Sequence, residues 1–113
     1  MYTYLARLVK VVDGDTIDID ISLGFRITIM QRCRLRGINT PETRGASREA
    51  GLKASEFTKA WLAGVEQLTI HSFKPYGDDK FGRFLVQVFK TPTEPSLNDA
   101  LLASGNAVPF MVD

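Results

Sequence analysis

Asp13-Gly-Asp-Thr-Ile-Asp-Ile-Asp-Ile-Ser-Leu-Gly24, running on into Phe25-Arg-Ile-Thr-Ile-Met-Gln-Arg-Cys-Arg-Leu-Arg-Gly37, is the stretch that decides the fold. In its first half Ile17, Ile19 and Ile21 alternate with Asp18, Asp20 and Ser22, the period of two expected of a strand with one wet face. Asp13-Gly-Asp15 ahead of it reads as a turn, because Gly permits positive φ and Asp bonds its own backbone. Gly24 marks the next turn. From Arg26 to Arg36 the odd positions Ile27, Ile29, Cys33 and Leu35 are apolar, while the even ones carry Arg26, Thr28, Arg32, Arg34 and Arg36. A third strand is expected there, with a row of guanidinium groups on one face.

Working outward, residues 2 to 12 are rich in Tyr, Leu and Val and read as the first strand. Residues 37 to 46, with Pro41 and Gly45, read as a loop. Ser47 is placed to cap a helix reaching about Gly64, on which Ala50, Ala54, Phe57, Trp61 and Val65 recur on one apolar face. Leu68 to Phe73 is a fourth strand, Lys74 to Lys80 a polar loop, and Phe84, Val86 and Val88 mark a fifth strand. Ser96 with Asp99 three residues on has the form of a capping box for a short helix that Gly105 closes. The expected class is mainly β with α (α+β). Five short strands with a helix between the third and fourth, and a short C-terminal helix, fit a closed OB-like barrel; an α+β sandwich fits the same order less economically.

The chain's 113 residues suit one domain spanning 1–113. With 44% hydrophobic and 24% charged residues it has the composition of a globular protein, which argues against extensive disorder. A net charge of +1 says nothing about partners, but six of the eight arginines lie between Arg26 and Arg48, enough for a local basic patch. Cys33 is the only cysteine, so no internal disulfide or multi-cysteine zinc site forms; between arginines on an alternating strand it reads as a small buried residue. No apolar run reaches the roughly 20 residues needed to span a bilayer, and the start at Met1 has no charged leader with a long apolar run. The expectation is a monomer without membrane association, cytoplasmic in a bacterium or phage-infected cell unless a leader has been removed.

Three clusters carry groups that handle phosphate or hard cations. Asp13-Gly-Asp15-Thr16 offers two carboxylates around a glycine, although the same string is also simply a good turn. Arg34 is followed by Asn39-Thr40-Pro41-Glu42, in which Asn39 offers a side-chain oxygen, Thr40 a carbonyl, and Pro41 stiffens the turn presenting Glu42. Asp79-Lys80-Phe81-Gly82-Arg83 supplies an arginine able to hold phosphate oxygens. Hydrolysing a phosphodiester with water needs a base, a cation on the non-bridging oxygens, and positive groups where charge accumulates. A carboxylate beside an arginine and a metal meets these needs; a capped turn with a surface ion pair is the bland alternative.

Val11-Val-Asp-Gly-Asp-Thr16, Arg34-Leu-Arg-Gly-Ile-Asn-Thr-Pro-Glu-Thr43 and Asp79-Lys-Phe-Gly-Arg83, with Leu97-Asn-Asp-Ala-Leu-Leu-Ala-Ser-Gly105 beyond, together resemble the staphylococcal nuclease family over roughly residues 5 to 108. The resemblance implies an OB barrel and calcium-dependent endonucleolytic cleavage of single- or double-stranded DNA or RNA that leaves a 3′-phosphate. It implies Asp15, Asn39 and Thr40 as the calcium site with Asp13 behind them. Glu42 is implied as the residue that orients or deprotonates water, and Arg34 and Arg83 as holding the phosphate. Lys80, Phe81 and Phe110 are implied as substrate contacts. Three departures stand out: Asn39 occupies a position where the family carries a calcium-binding aspartate, Phe81 one where it carries a tyrosine, and the sequence ends at Asp113 ahead of a C-terminal helix that fuller members carry. Related domains that keep the barrel and lose the chemistry make a non-catalytic nucleic-acid-binding or protein-binding module the alternative. Such domains typically drop the glutamate or the arginines, and Glu42, Arg34 and Arg83 are all present.

Overall fold

A computed structural model of the protein describes residues 2–73 and 84–110. The alternating stretch forms the expected hairpin. Strand β1 (Tyr2–Asp13) pairs antiparallel with β2 (Thr16–Ser22), which pairs antiparallel with β3 (Thr28–Leu35). After the two-residue strand β4 (Ile38–Asn39), a single 3-10 turn (Gly45–Ser47) leads into helix α1 (Arg48–Leu62). Strand β5 (Leu68–Ser72) and strand β6 (Phe84–Phe89) follow, then helix α2 (Leu97–Ala103) and the short strand β7 (Val108–Pro109). The barrel closes in the order β1-β2-β3-β6-β5, with β5 returning antiparallel to β1 and β3 meeting β6 in parallel. A closed five-stranded barrel with two helices is the architecture the strand pattern called for.

Period two explains the core. Ile17 and Ile19 of β2, Cys33 and Leu35 of β3, Ile70 of β5 and Val88 of β6 turn inward and are fully buried, and Leu97 and Leu101 of α2 close over them. Each such aliphatic side chain contributes about 1.5–3 kcal/mol of burial. On the outer face Asp18 stands opposite Arg32 and makes a two-point ion pair, at 2.8 Å to Nε and 3.1 Å to Nη2. The Arg32 guanidinium holds the Asp18 carboxyl below its usual range.

The row of guanidinium groups does not exist as expected. The third strand begins at Thr28, and Arg26 sits in the preceding turn, where Phe25 and Arg26 both adopt positive φ (54° and 63°) and the Ile27 amide donates to the Gly24 carbonyl. Arg36 lies past the strand's end, its guanidinium 4.0 Å from the centre of the Phe73 ring. Only Arg32 and Arg34 remain on the strand's outer face, and each is already bonded to a carboxylate. The apolar side also breaks off early: Ile27 precedes the strand, Ile29 lies near its start, and both are exposed.

Helix α1 is rotated from the expected stripe. Its buried face is Gly51, Ala54, Ser55, Thr58 and Leu62, with Phe57, Trp61 and Val65 half-buried against the core and Ala50 exposed. Small residues occupy the buried positions because the helix lies directly on backbone. Ser47 does not cap it by accepting an amide; its hydroxyl instead donates to the carbonyls of Glu42 (3.0 Å) and Arg44 (3.4 Å). Trp61 lies under Lys90, whose Nζ is 4.4 Å from the ring centre. Ser96 does cap α2, accepting from the Asp99 amide at 3.0 Å, and Gly105 ends that helix at positive φ. Part of the stretch read as a loop is β4, which pairs Ile38 with Pro109 and Asn39 with Val108 and so ties the C-terminal segment beside the 37–42 turn.

Candidate functional site

Three parts of the chain meet at one end of the β2–β3 ladder. The β1–β2 turn delivers Asp15, the end of β3 delivers Arg34, and β4 with its following turn delivers Asn39, Thr40 and Glu42. The register forces the first contact: Thr16 stands opposite Arg34, and the Leu35 amide donates to the Asp15 carbonyl at 2.8 Å.

Helix α1 holds these turns by close backbone approach. A Cβ on Gly14 would meet the Ala54 side chain at 2.9 Å, and one on Gly51 would run into the Glu42 carbonyl oxygen, so neither position admits a larger residue without displacing the helix. The Thr58 hydroxyl donates to the Gly14 carbonyl at 2.7 Å. From the other side, buried Asn98 of α2 donates to the carbonyls of Arg36 and Val86 and accepts from the Val88 amide, binding the end of β3 to β6.

Asp15 is the hub. Its Oδ2 accepts from the Thr40 amide (3.2 Å) and from Arg34 Nη2 (3.4 Å), and its Oδ1 accepts from the Thr16 hydroxyl (3.1 Å). The same Nη2 donates to Asn39 Oδ1 at 2.7 Å. The Arg34 and Asp15 side chains are only 9% and 11% exposed, so this is a buried pair, in which loss of either partner costs roughly 3–5 kcal/mol. The Phe110 ring covers one side of Arg34, 5.0 Å from Cζ to the ring centre, and is anchored by its amide donating to the Gly37 carbonyl at 2.9 Å.

Asp13 lies beside this hub, its carboxylate accepting from the Thr43 hydroxyl at 3.5 Å. Burial, and then the negative charges of Asp15 and Glu42, raise its pKa, with the Thr43 bond and Arg44 opposing. Glu42 is exposed at the rim, and its carboxylate makes no hydrogen bond or ion pair among the described residues. Its backbone is pinned from two directions, by the Ser47 hydroxyl and by Gly51. The carboxylate is thus presented to solvent from a fixed base.

Of the residues expected from sequence, Asp15, Arg34, Asn39 and Thr40 form one connected cluster, with Asp13 and Glu42 beside it and Phe110 against Arg34. Lys80, Phe81 and Arg83 lie outside the described residues. Gly14 lies in the expected turn but without positive φ, and it is required instead by the close approach of Ala54; sequence reading missed Gly51, Thr58 and Asn98, which position the site without belonging to it. The family model described as staphylococcal nuclease homologue matches residues 32–113. The chain belongs to this family. An uncharacterized protein of Methanocaldococcus jannaschii, MJ1439, is 26% identical to it over 125 aligned residues. That alignment takes in 92% of the chain and 58% of the archaeal protein, so the chain spans a little over half the length of this relative.

Within the family's frame the donor set can be judged for a hard cation. Asp15 carboxylate, Asn39 amide oxygen and Thr40 carbonyl are all oxygen donors, the type that calcium or magnesium takes. No group of three or more acidic, histidine or cysteine side chains with metal-binding arrangement occurs among the described residues. The donors therefore fit such an ion in kind, with one carboxylate, one amide and one carbonyl rather than an acidic cage.

Proposed function

We propose that this protein is a calcium-dependent endonuclease that hydrolyses DNA or RNA and leaves 3′-phosphate ends. The observation that carries the reading is the convergence of Asp15, Arg34, Asn39 and Thr40 beside a Glu42 carboxylate held by its backbone and uncommitted at the rim. Membership of the staphylococcal nuclease homologue family supports a nucleic-acid substrate.

In this reading Asp15, Asn39 and Thr40 hold the cation. When bound, calcium neutralises charge on the non-bridging oxygens and so eases attack on phosphorus. Arg34 donates to a phosphate oxygen from a buried, pre-set position, where no reorganisation is needed as charge accumulates. Arg83 is assigned the second phosphate contact. Glu42 accepts a proton from a water whose oxygen bonds to phosphorus; the bond to the 5′ oxygen breaks, and that oxygen leaves as a hydroxyl with a proton taken from solvent water. Asp13 adds negative charge behind Asp15. Phe110, beside Arg34, with Lys80 and Phe81, would contact the nucleotide.

The test is cleavage of single-stranded DNA with calcium and with a chelator, run beside Glu42→Gln. Cleavage is expected with calcium alone, and Glu42→Gln should lower kcat by about 10²–10⁴-fold while leaving substrate affinity nearly unchanged. Tight binding without cleavage by the parent would instead identify a binding module of the same fold.

A further inference from the structure

Arg34 is deeply buried but lightly bonded. Its side chain is nine-tenths buried, yet only Nη2 is used, shared between Asp15 Oδ2 and Asn39 Oδ1. Among the described residues Nε and Nη1 donate to no acceptor. Buried donors without partners are costly, and a guanidinium offers five N–H groups. The shorter of the two bonds goes to a neutral amide oxygen at 2.7 Å; the bond to the carboxylate is 3.4 Å. A neutral acceptor fixes the guanidinium in place without cancelling its charge, whereas a second carboxylate at the same position would leave Arg34 between two anions.

We infer that Asn39 is a positioning residue for Arg34, and that through it this site takes a phosphate group before any cation is bound. The inference rests on the nuclease reading only for the identity of the anion. Asn39 trades cation affinity for a metal-independent phosphate site: its amide oxygen can still face an ion, but its main partner is the guanidinium. Because Asn39 is exposed and its strand pairing is made by backbone, replacing the side chain leaves the barrel intact.

The experiment is fluorescence anisotropy of a labelled single-stranded oligothymidylate in excess chelator at low salt, where no cleavage occurs, with the melting temperature of every variant as a control for folding. The parent should bind in chelator, in competition with inorganic phosphate. Asn39→Asp should weaken that binding by about tenfold or more, since it brings a charge to within about 4 Å of the guanidinium, and added calcium should restore it. Asn39→Ala should weaken it several-fold without rescue by calcium. In ¹⁵N spectra of the arginine side chains the phosphate-induced shift of the Arg34 resonance should saturate in the parent at several-fold lower phosphate than in Asn39→Ala, a signature that a purely structural role for Asn39 would not move. Failure of the parent to bind in chelator overturns the inference, as does equal affinity of Asn39→Asp or of Asn39→Ala. The cleavage assay is independent: a chain that binds phosphate in chelator but never cuts keeps this inference and loses the nuclease reading, and one that cuts but binds only with calcium does the reverse.

Discussion

Gly51→Ala puts the packing of the site to its sharpest test, because two effects of opposite sign meet at one position. In an exposed helix interior, alanine is favoured over glycine by about 0.8–1.0 kcal/mol. Here the added methyl would run into the Glu42 carbonyl oxygen and lie 2.5 Å from its carbonyl carbon and 2.8 Å from the Pro41 carbonyl oxygen. All three are backbone atoms, so no side chain can swing aside. Either α1 lifts by about an ångström or the 41–42 turn retreats. Overpacking of this kind costs about 1–3 kcal/mol and backbone obstacles put it at the upper end, so the net expected loss is about 1–2 kcal/mol. That corresponds to a fall in Tm on the order of 4–16 °C. The same displacement moves the base of Glu42, and a shift of about 1 Å in a catalytic group can lower kcat roughly 10²-fold. Urea denaturation gives the stability change, and cleavage at saturating calcium gives the rate. A variant as stable as the parent or more so, with unaltered cleavage, would refute the claim that α1 sets the height of Glu42.

Three further outcomes are expected. Asn98→Leu should destabilise the protein by about 2–4 kcal/mol in denaturant titrations, because the buried Val88 amide loses its acceptor and the Arg36 and Val86 carbonyls each lose a donor. Asp13→Asn should stabilise the fold at pH 7 by less than about 1 kcal/mol. Its carboxyl is raised above 3.8 by burial and by Asp15 and Glu42, so the folded state prefers it protonated; that preference contributes fully below pH 3.8 and is lost as pH rises through the folded value. The gain in Asp13→Asn should therefore vanish below pH 3.8 in a pH series of melts. Cys33 should resist iodoacetamide at pH 8 and react only in denaturant, since burial pushes its thiol up to about 12.

The barrel was legible because Ile17, Ile19 and Ile21 alternate against acids, a pattern a helix cannot use. Alternation does not say where a strand begins. Phe25 and Arg26 hold left-handed turn positions that ordinarily favour Asn and Gly, so nothing in their chemistry announces the turn that moves Arg26 off the strand. The rotation of α1 was hidden for a different reason. Hydrophobicity marks Ala50 as readily as Ala54, whereas what selects the buried face is contact with the backbone of residues 14 and 42, which favours Gly51, Ser55 and Thr58. Ser47 has the right residue type for a cap and spends its hydroxyl on a tertiary bond instead. At the site, residue types pointed to Asp15, Arg34, Asn39 and Thr40, but their separation in sequence gave no distances. Only coordinates show that Asn39 bonds the guanidinium.

Among the described residues the ladder between β3 and β6 runs from Cys33 to Leu35 against Phe84 to Val86, and it is parallel, the weaker of the two pairings. Arg34 sits in the middle of it. Amide exchange is expected to be faster along this line than along the long β1–β2 pair. Each opening of this ladder would part Arg34 from Leu85 of β6 while leaving it bonded to Asp15 and Asn39 on its other side. A phosphate held by Arg34 and, in the proposed reading, by Arg83 just ahead of β6 in sequence would act as a stitch across the gap, so that occupancy and rigidity at this line would rise and fall together.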